Sequence, residues 1–223
     1  MISDRIVNFP EPVTLIGGGD VDRVWLHHAL SQAPNIVAAD GGANRALAEG
    51  VQPTLVIGDF DSVSAQALAA LPPAHLMRIE EQETTDFEKC LMRIDAPFIL
   101  GLGFIGPRAD HGLAGWNALV RHARARCILI GPEDLAFAAP PRLVLELVAG
   151  TRISLFPMAR VTGQSRGLRW PIDGLVLAPD GRIGTSNAAE GRVELAFDQP
   201  GMLVILPLDC LEEAIRALRS TTC

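Results

Sequence analysis

In the first 138 residues, short apolar runs alternate with segments whose apolar positions recur at helical spacing. The short runs are typical of buried strands, and they are Val13–Gly17, Asn35–Ala39, Thr54–Gly58, His75–Ile79, Pro97–Leu102 and Arg126–Gly131. The helical segments are Val21–Gln32, Ala43–Glu49, Ser64–Leu71, Asp86–Ile94 and Asp110–Arg124. This repeated strand–helix order predicts an α/β fold, with a Rossmann-like parallel sheet that carries helices on both faces.

The pattern changes at Ala138-Ala139-Pro140-Pro141. Beyond this break, brief apolar runs are separated by Gly, Pro, Asp and Asn turns, and they are Arg152–Phe156, Leu175–Leu177, Arg192–Phe197 and Met202–Leu206. Such spacing predicts a smaller antiparallel module, a β-sandwich or a barrel-like fold. Apolar positions over Leu211–Leu218 predict a final helix. We therefore expect two domains, residues 1–140 and residues 141–223.

The composition narrows the class of protein. The chain has 223 residues, of which 48% are hydrophobic and 20% charged, as in ordinary globular proteins. A net charge of −7 and a pI near 5.2 argue against nucleic-acid binding, which normally requires a basic face. No apolar run approaches the roughly 18 residues that a membrane span needs, and the first five residues do not resemble a leader, so we expect a cytoplasmic protein.

The cysteines give no sign of a disulfide framework or a zinc site. They are widely scattered, without a C-x-x-C pair or a histidine at ligand spacing, at positions Cys90, Cys127, Cys210 and Cys223. We interpret them as core or incidental thiols.

Aspartates follow the predicted strands or open the helices after them, at Asp40, Asp59, Asp61, Asp86 and Asp110. Because the carboxyl ends of parallel strands meet at one edge of a sheet, we expect these carboxylates to lie close together. Close carboxylates repel unless a positive charge lies among them, and Mg²⁺ takes oxygen ligands of this kind. Lys89, the only lysine in the chain, follows Asp86 by three residues. The combination indicates a metal and phosphate site.

Each part of this pattern also has a purely structural interpretation. Thr85 followed by Glu88 fits a capping box, and Asp110 could be only an N-cap. Gly41 and Gly42 could form a simple turn, since the chain has no Gly-x-Gly-x-x-Gly fingerprint and no Walker loop. Only the grouping of many acids with Lys89 and an arginine favours a functional site. If the segment after residue 58 is extended, alternation places Asp59 and Asp61 on one side and turns Phe60 into the core.

Six short motifs, taken in order, resemble the thiamine pyrophosphokinase family. They are Asp40-Gly41-Gly42-Ala43-Asn44, Gly58-Asp59-Phe60-Asp61-Ser62, Thr85-Asp86-Phe87-Glu88-Lys89, Arg108-Ala109-Asp110-His111, Gly167-Leu168-Arg169-Trp170-Pro171 and Thr185-Ser186-Asn187. The resemblance covers nearly the whole chain. It implies a nucleotide-binding catalytic domain, a thiamine-binding and dimerisation domain, and a homodimer with the thiamine site at the subunit interface. The implied reaction transfers pyrophosphate from ATP to the thiamine hydroxyl, giving thiamine diphosphate and AMP.

The resemblance also implies roles for individual residues. Asp59, Asp61 and Asp86 would bind Mg²⁺. Lys89 and Arg108 would stabilise the negative charge on the transferring phosphate group. Either Asp59 or Asp86 accepts the hydroxyl proton, and the sequence does not choose between them. Nucleotide binding is implied for Asp40, Gly41, Gly42, Asn44, Ser62, Thr85, Asp110 and His111. Thiamine is a flat cation, which Trp170 stacks on and which Gln82, Ser186 and Asn187 hydrogen-bond. A purely structural interpretation is that Trp170 only plugs the second domain and that residues 185–187 form a turn.

Two departures from the family pattern, and three different functions, stay open at this point. Pro107 stands where the family has glycine, which removes a backbone donor from the loop before Arg108, and Arg169 stands where lysine is common. A pterin pyrophosphokinase has similar acidic motifs. A non-catalytic sensor of thiamine or nucleotide, or a hydrolase of nucleoside phosphates, would also be compatible with the sequence.

Overall fold

The structure, a computed structural model, describes residues 6–220. The expectations about the first five residues and about Cys223 therefore lie outside the described residues. Two compact units are present. The first contains the residues up to Ala118 together with Leu129–Pro132, and the second contains Leu119–Ile128 and the residues from Glu133 onward. The predicted domain boundary at residues 140 and 141 stays a prediction.

A parallel sheet forms the centre of the first unit. Its strands are β2 (Val13–Ile16), β3 (Asn35–Ala39), β4 (Leu55–Gly58), β5 (Leu76–Arg78) and β7 (Ile99–Leu102), in the order β7-β2-β3-β4-β5. Each neighbouring pair is parallel. All residues of β2, β4 and β7 are buried, which explains why these strands were visible as unbroken apolar runs. A separate short parallel pair joins β1 (Val7–Asn8) to β6 (Ile94–Asp95).

Helices connect these strands, and local signals define their ends. They are α1 (Arg23–Gln32), α2 (Gly42–Ala48), α3 (Ala65–Ala70), α4 (Asp86–Leu91) and α5 (Ala109–Arg121). Asp22 caps α1 and Ser64 caps α3 through their side-chain oxygens. The helix predicted to reach Ile94 ends at Leu91, because Ile94 pairs in β6. The strand β8 (Cys127–Ile130) and the helix α5 contain residues of both units.

The second unit is built from antiparallel strands and one helix. The strands are β9 (Asp134–Ala138), β10 (Arg142–Glu146), β11 (Arg152–Pro157), β12 (Val161–Leu168), β13 (Val176–Leu177), β14 (Gly184–Phe197) and β15 (Met202–Pro207). The long strand β14 pairs with β10, β11 and β12, and β15 pairs with β9 and β11. The final helix α6 (Leu211–Ser220) buries its apolar face, as expected from the sequence.

The mixed α/β fold class is confirmed. The sequence missed the two-residue strands β1 and β6 and the longer strands β9, β10 and β12, and it recognised only the last six residues of β14. Within residues 6–220, none of the helices combines the length and the apolar character that crossing a bilayer requires.

Candidate active site

Asp40 lies at the end of β3 and holds the turn that follows β4. Its side chain is buried, with 2% of the residue exposed, and its carboxylate accepts hydrogen bonds from the Phe60 N–H (2.7 Å) and the Ser62 N–H (3.1 Å). The backbone of Asp40 is left-handed, with φ of 43°. A Cβ on Gly58 would come within 2.6 Å of the Asp40 Cβ, so this approach requires glycine.

The turn after β4 brings two further carboxylates to Asp40. Single oxygens of Asp40, Asp59 and Asp61 lie within 4.8 Å of one another. Phe60 packs on a buried cluster that includes Ala38 and Val56, as the sequence predicted. The reason given by the sequence was wrong, however, because Phe60 has a φ of 70° and is not extended. A left-handed turn, rather than strand alternation, places Asp59 and Asp61 together.

The helix α4 supplies the positive charge of this group. Its first turn is a capping box, in which Thr85 Oγ1 accepts from the Glu88 N–H and the Glu88 carboxylate accepts from the Thr85 N–H. The structural interpretation of Thr85 is therefore confirmed. One turn later, Lys89 Nζ lies 3.1 Å from Asp86 Oδ1 and 4.0 Å from Asp59 Oδ2. Only 2% of the Lys89 side chain is exposed, so its ammonium is placed between the two carboxylates with little solvent.

The two carboxylates beside Lys89 differ in basicity. The hydrogen bond from the Asp61 N–H, and then that from Gln82, holds the pKa of Asp59 below its usual range. Burial raises the pKa of Asp86, and the charges of Asp40 and Asp59 raise it further, although Lys89 opposes this shift. Asp86 is thus the stronger proton acceptor of the pair.

The loop before α4 reaches the same carboxylates. Gln82 Nε2 donates to Asp59 Oδ2 at 2.6 Å. This bond links a residue predicted to bind thiamine directly to the acid group, which we define as the carboxylates of Asp40, Asp59, Asp61 and Asp86. Sequence reasoning missed Glu81, whose carboxylate accepts from the Glu83 and Thr84 N–H groups and from the Thr84 hydroxyl. The hydrogen bond from the Thr84 hydroxyl is the main reason why the pKa of Glu81 is lowered.

Asn44 and the glycines before it face the backbone of neighbouring segments. Asn44 Nδ2 donates to the Ser62 carbonyl at 2.7 Å, and its Oδ1 accepts from the Ser64 N–H at 2.9 Å. A Cβ on Gly42 would lie 2.0 Å from the Ile16 carbonyl oxygen. Ser62 Oγ donates to Asp61 Oδ1 at 2.8 Å. These residues, predicted to bind nucleotide, have contacts that build the acid group.

Arg108, Asp110 and His111 lie at the start of α5 and are exposed. The Arg108 guanidinium forms an ion pair with Asp110 at 2.7 Å, and 66% of each side chain is exposed. The pair raises the pKa of Arg108 and lowers that of Asp110. In this structure Arg108 is therefore on the surface and bound to Asp110 in the first turn of α5.

A cavity of about 300 Å³ opens beyond the carboxyl ends of β2 and β7. Apolar side chains and backbone line most of it, including Val21, Trp25 and Leu102, and Asp20 and Asp22 add carboxylates. The glycine loop after β2 lies close both to Gly41, which follows Asp40, and to Gly103, which lines this cavity. A Cβ on Gly18 would lie 3.7 Å from Gly41, and one on Gly19 would lie 2.7 Å from the Gly103 oxygen.

In the second unit, Trp170 is exposed and a buried asparagine holds its backbone. Trp170 is 56% exposed, so it does not plug the unit. Asn187 Nδ2 donates to the Trp170 carbonyl at 2.7 Å, and its Oδ1 accepts from the Trp170 N–H at 3.2 Å. Residues 185–187 belong to β14 and are not a turn. The pairing of β11 with β14 shifts register beside Ser186, whose φ of 59° is left-handed.

A second cavity, of about 160 Å³, has Trp170 and Asn187 on its wall. Its other lining residues are Pro171, Ile172, Leu175, Leu177, Arg182, Ile183, Gly184 and Thr185. The Arg169 guanidinium carbon lies 5.7 Å from the centre of the Trp170 ring. The exposed wall of this cavity is slightly more polar than apolar, and with one exposed indole it suits a flat, partly polar ligand.

Comparison with known proteins assigns both units to one family. Residues 26–130 match the family described as "Thiamin pyrophosphokinase, catalytic domain", and residues 142–202 match "Thiamin pyrophosphokinase, vitamin B1 binding domain". Thiamine pyrophosphokinase 1 of Oryza sativa subsp. japonica is 29% identical over 189 residues, which cover 69% of this chain and 71% of that protein. Thiamine pyrophosphokinase 1 of Arabidopsis thaliana is 26% identical over 198 residues, with 74% and 72% covered.

Solved structures agree in fold. Yeast thiamin pyrophosphokinase superimposes with a TM-score of 0.71 at 18% identity, covering 97% of this chain and 94% of that one. The enzyme from Geobacillus thermodenitrificans gives 0.71 at 20% identity, with 87% and 96% covered. With both halves matched in order, the chain belongs to the thiamin pyrophosphokinase family, and its activity is that of a thiamine pyrophosphokinase.

Proposed function

We propose that the acid group of the first unit binds the triphosphate of ATP together with Mg²⁺ and transfers pyrophosphate to the thiamine hydroxyl. The observation that carries this proposal is the buried ammonium of Lys89 between Asp59 and Asp86. One ammonium does not balance the charge of the four carboxylates in the acid group. The negative charge that remains is what a divalent cation would neutralise.

The carboxylates present fit Mg²⁺. Asp59 and Asp61 offer oxygens within 4.8 Å of each other and of Asp40, and hard oxygen donors are what this ion prefers. We assign ligation to Asp59 and Asp61, whose oxygens converge. Asp86 is paired with Lys89 instead, and we propose it for proton acceptance rather than for metal ligation. When bound, Mg²⁺ would neutralise phosphate charge and hold the triphosphate for in-line attack.

Lys89 and Arg108 would stabilise the charge on the transferring group. Lys89 is a compact point charge already held in place by Asp86. Arg108 would exchange Asp110 for phosphate oxygens, and its fork geometry suits a bidentate contact. Asp110 and His111 would then contact the nucleotide from the same turn of α5.

We assign proton acceptance to Asp86 rather than Asp59. Burial raises the pKa of Asp86, whereas hydrogen bonds from Asp61 and Gln82 lower that of Asp59. The more basic carboxylate removes the proton of the attacking hydroxyl more readily.

The cavity beside Trp25 is our candidate for the adenosine of ATP. It lies at the point where the strand order reverses between β2 and β7, where α/β sheets commonly bind ligands. This strand order also supports a Rossmann-like classification of the first unit. The acids Asp20 and Asp22 can accept hydrogen bonds from ribose hydroxyls or from the adenine amino group.

For thiamine we propose the cavity that contains Trp170 and Asn187. Stacking on the exposed indole suits a flat cation, and Ser186 would add hydrogen bonds. Exposed apolar side chains next to this cavity, at Trp170, Val176 and Ile183, support a homodimer that covers them.

The antiparallel strands around β14 support a β-sandwich classification of the second unit. A cytoplasmic location remains our proposal.

One incubation tests the reaction. With ATP, Mg²⁺ and thiamine, we expect AMP and thiamine diphosphate in equal amounts. Release of ADP or phosphate would favour a hydrolase, and turnover of a hydroxymethyl pterin in place of thiamine would favour a pterin pyrophosphokinase, which the family assignment does not support.

Size-exclusion chromatography with light scattering tests the dimer, and a monomer at micromolar concentration would contradict it.

A further inference from the structure

Two side chains, one just before α2 and one in its first turn, grip the backbone of the acid loop, which we define as residues 59–64. Asp40 accepts from the Phe60 and Ser62 N–H groups at 2.7 and 3.1 Å. Asn44 donates to the Ser62 carbonyl at 2.7 Å and accepts from the Ser64 N–H at 2.9 Å. Every second residue of the loop from Phe60 to Ser64 is thereby bonded to one of two side chains spaced four residues apart.

The acid loop needs this support. Phe60 has a left-handed backbone, a conformation that bulky residues adopt only when surrounding contacts enforce it. Asp59 and Asp61 flank Phe60, so its backbone angle decides how far apart their carboxylates lie. Within the described residues, Asp40 and Asn44 provide the side-chain hydrogen bonds to the loop's N–H groups that come from another segment.

Asn44 can be used to test the effect of the hydrogen bonds to the acid loop separately from the effect of the charge of Asp40. Both polar atoms of its amide are already bonded to loop backbone, and the amide carries no charge. Asp40, in contrast, adds a negative charge to the acid group as well as its two hydrogen bonds.

We propose that Asp40 and Asn44 are positioning residues, which act through the backbone of the acid loop to set the separation of Asp59 and Asp61. This inference rests on the proposed metal site at those two aspartates. It changes the role expected for Asp40 and Asn44 from contact with the nucleotide to preorganisation of the cation ligands.

The decisive variant is Asn44→Asp, with Asn35→Asp as its matched control. Asn44→Asp keeps the acceptor for the Ser64 N–H but sets an oxygen against the Ser62 carbonyl, and it adds a negative charge beside the acid group. Asn35 also donates its amide to backbone carbonyls, those of Glu11 and Pro12, at 3.0 and 3.2 Å. It starts β3, whereas Asp40 follows the end of that strand. Both changes thus cost one amide donor and add one charge, but only one of them touches the loop.

Two measurements read the effect without turnover: Mn²⁺ affinity by electron paramagnetic resonance, and amide hydrogen exchange at Phe60 and Ser62. We expect Asn44→Asp to weaken Mn²⁺ binding about tenfold, the size of one lost hydrogen bond plus an unfavourable contact. Exchange at the two amides should accelerate, although Asp40 is unchanged. Asn35→Asp should alter neither quantity. Should Asn44→Asp fail to fold, Asn44→Ala against Asn35→Ala makes the same comparison without added charge.

Unchanged or tighter Mn²⁺ binding in Asn44→Asp, as added negative charge alone would produce, overturns the proposal. Unchanged exchange at Phe60 and Ser62 overturns it as well. If the wild-type protein binds no Mn²⁺, the proposed metal site fails instead, and the exchange rates still decide whether Asn44 holds the loop.

Discussion

Lys89 and Asp86 form an ion pair across one turn of α4, with 3.1 Å between Nζ and Oδ1, and 2% of the lysine side chain is exposed. The same ammonium lies 4.0 Å from Asp59. Because α4 begins with a capping box, the position of this pair along the helix is determined locally, while its burial comes from the sheet that α4 contacts. One lysine thus connects the acid loop to the helix.

Replacement of Lys89 should move the acid limb of the pH–rate profile. Lys89 lowers the pKa of Asp86 against the effect of burial, so Lys89→Met should raise that pKa further. A protonated Asp86 cannot accept the hydroxyl proton, so activity is lost as pH falls through its pKa, and in Lys89→Met this loss should begin at higher pH. Lys89→Arg keeps the charge and should retain most of the wild-type profile shape. An acid limb at the same pH in Lys89→Met would contradict Asp86 as the base.

Asp59→Asn should reduce kcat by about 100-fold or more, because it removes a metal ligand at the point where phosphate charge must be neutralised. The carboxamide keeps the size of the side chain, so the thermal midpoint should change little. Asp95→Asn, at an exposed acid that pairs with Asn8, is the control and should keep full activity. Wild-type turnover in Asp59→Asn would remove the metal assignment.

Trp170→Ala should raise the KM for thiamine about 10- to 100-fold, since stacking of a cation on an indole contributes about 1–3 kcal/mol. The KM for ATP should change far less. Trp170→Phe retains an aromatic face and should lose only part of the affinity. Steady-state kinetics with each substrate varied in turn distinguishes the cases, and equal shifts in both KM values would argue against Trp170 as the thiamine wall.

Gly42→Ala should destabilise the fold by about 3 kcal/mol, because its Cβ would meet the Ile16 carbonyl oxygen, a backbone atom that cannot move aside, at 2.0 Å. The control is Gly112→Ala in α5, where no atom lies within 4 Å of the added Cβ. That change should be neutral or stabilising, since alanine favours a helix. Thermal unfolding of the two variants measures the difference, and equal midpoints would contradict the close packing of Gly42.

The sequence predicted the strands of the parallel sheet well and those of the second unit poorly, for a physical reason. Strands β2, β4 and β7 are buried on both faces, so their apolar runs are unbroken. In contrast, β12 contains Gly163, Gln164 and Gly167 and has no such run. It is a strand because it pairs with β14 and β13, and pairing with distant residues leaves no local signal.

The sequence by itself determined the features that depend on near neighbours: the buried strands of the sheet, the Thr85 capping box and the placement of acids at strand ends. Only the tertiary structure decided which side chains these acids meet. Asp40 bonds Phe60 across 20 residues, Gln82 bonds Asp59 across 23, and Asn187 bonds Trp170 across 17. Hydrogen bonds of this kind need distances and directions that only the packed chain defines, so motifs could point to a shared site while the role of each residue within it could not be derived from them.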